Sequence, residues 1–312
     1  MLTDFKLAHS MFSDTVRELA GAQDRSLLKE LVGYEKVEGE IAYLPSIDDA
    51  SSDEATVTDA KSTKTRKTYE AIETPALADW IGIQTPHMAV GKQKTTVTPK
   101  VIEWGHSFGK NEKVLDKLTS QDRVMRSGMK KIFKQEDLLI IGGMSAASVA
   151  RVVGTANGTT TSNVALPASQ AFETANVGYL SFADCTTIMK LLEDQYVTDP
   201  VFCLMSPTDK KLFIDNNEKI NDTDFVNSHE YFHSGKLPDV YGIHFVSHPL
   251  VTPGTLHVWA KEAIIWADFQ GLDPNIGPAP TQRFSAIAHM DELADVKRND
   301  DLKYIKVTIK AS

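Results

Sequence analysis

His229, Glu230, Tyr231, Phe232 and His233 spell H-E-x-x-H. On a helix, that spacing sets two imidazoles one turn apart to hold zinc and leaves the glutamate to activate a water, which is metallopeptidase chemistry. The element that would carry them is short: Asn227 and Ser228 precede the motif, and Ser234, Gly235 and Pro238 follow it, leaving barely one helical turn. A third ligand is hard to find. Glu262, the first glutamate downstream, opens a strand-like run, and His244 and His248 lie on or beside another. The sequence favours a surface or interface loop here, with a zinc peptidase built on His229, Glu230 and His233 as the alternative.

No second chemical signature accompanies it. The chain contains no G-x-x-x-x-G-K-[ST], G-x-S-x-G or G-x-G-x-x-G, so phosphate cradles and nucleophile elbows have no basis. Trp80, Trp104, Trp259 and Trp266 are each flanked by apolar or strand-like residues and read as core anchors, not as a stacking platform. We expect no cofactor, no metal and no catalytic residue.

Composition narrows the classes further. With 312 residues, 42% apolar and 24% charged, the chain can bury a real core. A formal net charge of −9 argues against a protein whose main task is gripping nucleic acid. Cys185 and Cys203, the two cysteines, sit in apolar segments and read as small core residues in a reducing compartment. Met1 to Met11 lacks a secretory pattern, and the most apolar run, Leu138 to Val153, is interrupted by Gly142, Gly143 and Arg151. Neither secretion nor membrane insertion is expected.

The order of elements is more telling than any motif. Met1 to Val32 holds enough apolar residues for two short amphipathic helices but not for a domain, so it reads as an arm that docks elsewhere. Glu40 to Leu44 reads as a strand ended by Pro45. A polar tongue follows, in which Asp48, Asp49, Asp53, Glu54 and Asp59 precede Lys61, Lys64, Arg66 and Lys67. Such a segment cannot build its own core, and those charges, Asp59 apart, are the candidate contacts to neighbouring subunits.

Lys94, Thr96, Thr98 and Lys100 alternate with Thr95, Val97 and Val101 in a strand with one wet face, and Pro99 places it at a sheet edge. A helix of about 22 residues should then open near Ser120, its apolar stripe opposed by Arg123, Arg126, Lys130, Lys131 and Lys134. Gly154 to Asn163 reads as a loop or hairpin. Beyond Tyr179 the pattern is mixed α/β: a helix around Asp184 to Gln195, a buried strand Val201 to Met205, and a helix capped by Ser206 with Pro207 at its first position. Strands are expected at Ile243 to Ser247, Leu256 to Ala260, Ala263 to Phe269 and Tyr304 to Ile309.

Thr65-Arg66 leading into a return strand, Asp122 with Arg126 opening the long helix, and Asp137-Leu138-Leu139-Ile140-Ile141-Gly142-Gly143 closing it form a series. Phe202 to Pro207, Lys211-Leu212-Phe213, Gly235 and Tyr241-Gly242-Ile243 continue it. In series, from about Gly33 onward, these resemble the major capsid protein of tailed double-stranded DNA bacteriophages, of the Hong Kong 97 type. The resemblance implies an α+β fold with an N-terminal arm (1–44), an extended β-hairpin loop (45–97), a peripheral domain with a long spine helix (98–178), an axial α/β domain (179–256) and a return to the peripheral domain (257–312).

It also implies a structural, non-catalytic subunit that assembles with itself as hexamers and pentamers into an icosahedral head. That head would enclose double-stranded DNA without sequence-specific binding and would form in the host bacterial cytoplasm, with scaffolding, portal and decoration proteins as further partners. An encapsulin-like container of the same fold is a second alternative. The arm, tongue and edge strand agree with an assembling subunit, since each has surfaces that only a neighbour can satisfy. The chain begins at Met1 with no sign of a removed segment, so a separate scaffolding protein is the expected helper.

Overall fold

The computed structural model describes residues 26–38, 42–47, 55–58, 63–66, 92–108, 119–155, 158–195, 197–217, 237, 239–278 and 286–311. Its longest element is helix α1 (Thr119–Ser145), 27 residues or about 40 Å, starting where the apolar stripe predicts and running one turn further. Met129, Ile132, Ile140 and Met144 turn inward. They pack on a four-stranded sheet of β1 (Gly33–Lys36), β13 (Ile264–Pro278), β14 (Ala286–Arg298) and β6 (Lys100–Phe108), in the order β1-β13-β14-β6. Two glycines permit the close approach. A Cβ on Gly128 would come within 2.8 Å of Met290 and Trp104 side-chain atoms, and one on Gly143 within 2.7 Å of the Val296 carbonyl oxygen.

The β13–β14 ribbon is where expectation and structure differ most. β13 continues past Phe269 to Pro278 through register shifts at Asp268/Gln270 and Gln270/Asp273, and β14 was not expected at all. The inward face of β14 carries Ala288, Met290, Glu292, Ala294, Val296 and Arg298, all buried. Two charged residues in that row hide the period-two apolar signal by which such a strand is recognised.

Pro99 does not sit within one edge strand. It separates β5 (Lys92–Val97), which is internal to a second sheet, from β6, which is an edge of the first. The inward phase changes across it: Thr95 and Val97 are buried, but Val101 is 62% exposed and Ile102 is buried instead. The second sheet has the order β2-β5-β7-β8, from β2 (Ala42–Ile47), β5, β7 (Ser148–Thr155) and β8 (Gly158–Ala165). The last two form the hairpin that the Gly/Thr-rich segment suggested. β2 runs through Pro45 instead of ending before it, because β2 is an edge strand, where a missing N–H is tolerated. β3 (Ala55–Thr58) and β4 (Thr63–Arg66) make a separate two-stranded hairpin.

A five-stranded sheet of order β11-β10-β12-β15-β9 completes the architecture, from β9 (Ala171–Val177), β10 (Val201–Met205), β11 (Ile243–Ser247), β12 (Thr255–Ala260) and β15 (Tyr304–Lys310). Helices α2 (Phe182–Glu193) and α3 (Pro207–Asn216) belong to this region. α2 opens with a capping box, Ser181 accepting from the Asp184 N–H while the Asp184 carboxylate accepts from the Ser181 N–H. α3 opens on Ser206 with Pro207 behind it, as its sequence requires. Cys185 and Cys203 lie in the core beneath, unpaired. Burial, then the charge of Asp184, pushes the Cys185 thiol up to about 12, and burial lifts Cys203 well above the usual thiol value, so both stay protonated and inert.

Candidate assembly surfaces

Of the residues singled out from sequence, Lys64 and Arg66 lie on β4, opposite Val57 and Ala55 of β3. Asp48, Asp49, Asp53, Glu54, Lys61 and Lys67 lie outside the described residues, as do His229, Glu230, His233 and Trp80. The groups considered as a third zinc ligand have other partners. His244 Nδ1 is 2.8 Å from Asp239, His248 Nε2 is 3.2 Å from Asp137, and the exposed Glu262 is 3.9 Å from Lys303. Trp259 and Trp266 are fully buried and Trp104 packs against the same core, as anchors should.

The structure instead brings together a buried polar cluster where the arm meets α1. Ser26 donates to Asp137 Oδ1 (2.7 Å), and so does the Leu28 N–H (3.2 Å), while His248 holds the other carboxylate oxygen. Lys29 reaches Glu136 (2.6 Å) and Glu292 (2.8 Å) with its ammonium over the Trp266 ring. Leu28 and Val32 fill the apolar gap beside them, and Trp259 Nε1 donates to the Leu31 carbonyl. The described end of the arm therefore docks on α1 and the sheet of its own subunit.

Burial weighs on Glu136, Lys29 and Asp137, and partners decide the outcome. Burial, assisted by the Glu292 charge and opposed by Lys29, raises Glu136 to about 8. Lys29 suffers the same desolvation, but its two carboxylates outweigh it and hold its ammonium above the usual value. Asp137 is pulled below the usual carboxylate range, because its bonds to His248, Ser26 and Leu28 overcome its own desolvation. Sequence reasoning missed the whole cluster. Its members are separated by more than a hundred positions, and no local pattern announces them.

A second buried network closes the far end of α1. Arg298 donates from Nε to Asp301 (3.0 Å) and from one terminal nitrogen to the Met144 and Ala146 carbonyls, so a fixed cation caps the helix C-terminus. Asp301 also receives Arg151 of β7 (2.9 Å). Tyr304 donates to the Met144 carbonyl (2.9 Å) and stands 2.6 Å from His257 Nδ1, which must then be the donor of that pair. Burial, reinforced by Lys306 and Arg298, lowers His257 to about 4 and keeps it neutral.

Several features face outward. β6 is a nine-residue sheet edge on which Lys100, Val101, Glu103, Gly105 and Ser107 are exposed. Leu27 and Leu138 are exposed beside the arm contact, and Tyr34, on edge strand β1, is 60% exposed while its hydroxyl donates to Asp268. Long edges and isolated apolar side chains of this kind are what subunit contacts cover.

A family model described as "Phage capsid protein" matches residues 6–310. A comparison with curated proteins finds no match. Among solved structures, the capsid of the cyanophage P-SCSP1u is similar with a TM-score of 0.60 at 13% identity, covering 92% of this chain and 89% of that one. The capsid of Ralstonia phage GP4 is similar with a TM-score of 0.59 at 11% identity, covering 93% and 92%. The SrpI encapsulin of Synechococcus elongatus follows at 0.53 and 10% identity, covering 90% and 86%. Identities this low speak for the fold alone, and that fold is the Hong Kong 97 type of phage capsids.

Proposed function

The chain belongs to the phage capsid protein family, and from that premise we propose that it forms hexamers and pentamers of an icosahedral head around double-stranded DNA. The family supplies the coarser statement: this is a structural capsid protein of a virion, built to associate with copies of itself. The finer reading is a non-catalytic major subunit assembled in the host bacterial cytoplasm, with scaffolding, portal and decoration proteins as partners. In it the tongue residues Asp48, Asp49, Asp53, Glu54, Lys61, Lys64, Arg66 and Lys67 set register with neighbouring subunits. The arm, extended loop, peripheral and axial domains keep the boundaries drawn above.

The observation that carries this reading is the family match running from residue 6 to residue 310, over arm, tongue, long helix and all three larger sheets. Physical chemistry supports it. Exposed ion pairs contribute about 0.2 to 1 kcal/mol each, so tongue charges can select register, while burial of edges and apolar side chains supplies most of the affinity. An acidic chain also suits a DNA container, since a uniformly basic lining would trap the polymer. A protein-cargo container has less support, because the family model that matches this chain is described as a phage capsid protein.

Sedimentation and electron microscopy of the full-length chain, alone and co-expressed with its neighbouring head genes, test the proposal. Closed shells of uniform size are expected. Folded monomers whose sedimentation does not change with concentration in either condition would overturn it.

A further inference from the structure

On the exposed side of α1, Arg126, Lys130, Lys131 and Lys134 stand within nine residues of a chain whose net charge is −9. With Ser127 they line an open groove of about 440 Å³. At about 100° per residue the five cover an arc of about 140°, opposite Gly128, Met129 and Ile132, which are buried against the sheet. The axial span from Arg126 to Lys134 is about 12 Å.

Arg126, Lys130 and Lys134 succeed one another at i, i+4 and i+8, an order that places like charges one turn apart and disfavours the helix by a few tenths of a kcal/mol per pair. Downstream, the helix offers Lys134 little relief. The next acids along it, Glu136 and Asp137, are buried and turned to Lys29 and to Ser26 and His248. Lys131 and Lys134 make no ion pair among the described residues.

Resting on the capsid reading above, we propose that this face of α1 is where packaged double-stranded DNA meets the shell, gripped through backbone phosphates without reading bases. The chemistry of the surface favours nucleic acid over a protein partner. A protein interface is centred on apolar anchors, and among the described residues none of the exposed large apolar side chains, Leu27, Tyr34, Val101, Leu138, Val177, Tyr241 and Ile287, lines the groove. Among the described residues that line it, all but Ser127 are cations: the three lysines are flexible point charges suited to phosphates, and Arg126 is a planar fork that pairs with them bidentately.

The density is also graded. Over about 12 Å a duplex presents roughly seven phosphate charges, so four cations neutralise only part of them. Each subunit then holds the outermost DNA weakly and reversibly, and the shell does not immobilise what it must later release. The inference also orients the subunit, with the cationic face of α1 toward the lumen.

The test uses assembled particles. Amine acetylation followed by mass spectrometry is run on DNA-filled heads and on heads emptied of DNA, with lysines on other faces as internal reference. Lys130, Lys131 and Lys134 are expected to be protected several-fold when DNA is present and labelled when it is gone. Equal labelling in both states would overturn the proposal. Equal protection in both would also overturn it and assign the groove to a protein segment.

The unassembled full-length subunit gives an independent measure with a short duplex followed by fluorescence anisotropy. With four phosphate contacts, a fourfold rise in salt weakens binding about 150-fold, against about 12-fold for K131Q/K134Q. Salt dependence unchanged by that double substitution would sink the proposal. Failure to form particles at all would instead count against the capsid reading, so the two failures are distinguishable.

Discussion

The two large cores of this protein are built on opposite principles. The five-stranded sheet with α2 and α3 encloses an apolar interior, including two protonated thiols, and its buried hydroxyls and carboxylates serve local helix caps. The core under α1 is threaded with charge. Glu136, Asp137, Glu292, Arg298 and Asp301 are all buried there, and apart from the local Arg298–Asp301 pair their partners come from distant parts of the chain. Apolar burial stabilises without selecting partners, whereas a buried ion pair loses much of its attraction to desolvation and in return demands one arrangement. Both cores bury apolar side chains, and the ion pairs add to the second a defined placement of arm, helix and ribbon.

Substitutions can break that contrast, and the largest effect is expected from Arg298→Ala. It weakens the cap of α1 by freeing the Ala146 carbonyl and leaving the Met144 carbonyl to Tyr304 alone, halves the pairing of Asp301, and should destabilise the subunit by about 4 kcal/mol in chemical denaturation. Lys29→Met should follow at about 3 kcal/mol, since Glu136 and Glu292 are left facing each other in the core. If the cluster chiefly specifies position, Lys29→Met/Glu136→Gln/Glu292→Gln should recover most of that loss while proteolysis near the arm increases. Full recovery with an unaltered cleavage pattern would show that the charges specify nothing.

Acidity acts in opposite senses on the two buried networks at the ends of α1. Glu136 is raised to about 8 from 4.5, so the folded subunit retains a proton there that the unfolded chain gives up. That contribution is complete below 4.5 and is lost as pH climbs to about 8. His257 is lowered to about 4 from 6.5, and its contribution is complete above 6.5 and lost as pH falls to about 4. Glu136→Gln should flatten stability against pH on the alkaline side, by at most about 1.4 kcal/mol per pH unit, and urea midpoints from pH 5 to 9 measure it. The smallest effect belongs to the apolar core: Ser206→Ala should remove about 1 kcal/mol through loss of the α3 cap, read from the same midpoints.

The same contrast explains how much could be read in advance. Ser206-Pro207, the β10 strand Val201–Met205 and the β11 strand Ile243–Ser247 were legible, because caps, β-branched runs and turn residues act over a few positions. The long helix was legible too, its stripe being several turns long. β14 was not, because Glu292 and Arg298 occupy inward positions that sequence logic reserves for apolar residues. The Lys29, Glu136 and Glu292 contact was beyond reach for a related reason: its members are 107 and 263 positions apart and meet only after the sheet has formed. At Pro99 the residue was read correctly as a break, but a period of two cannot say that the chain changes sheets there.

That change of sheets has a mechanical consequence. The Thr98 N–H reaches Asp295 at 3.4 Å and the Lys100 ammonium reaches the same carboxylate at 3.2 Å, so the two-residue link between β5 and β6 is pinned on both flanks to the middle of β14. A tug on the strands at the base of the tongue cannot be absorbed by slack in the link. It passes directly into the ribbon beneath α1, through Asp295 and through the β6–β14 ladder that starts at Lys100, so that strain from a neighbouring subunit would reach the core of this one by both routes.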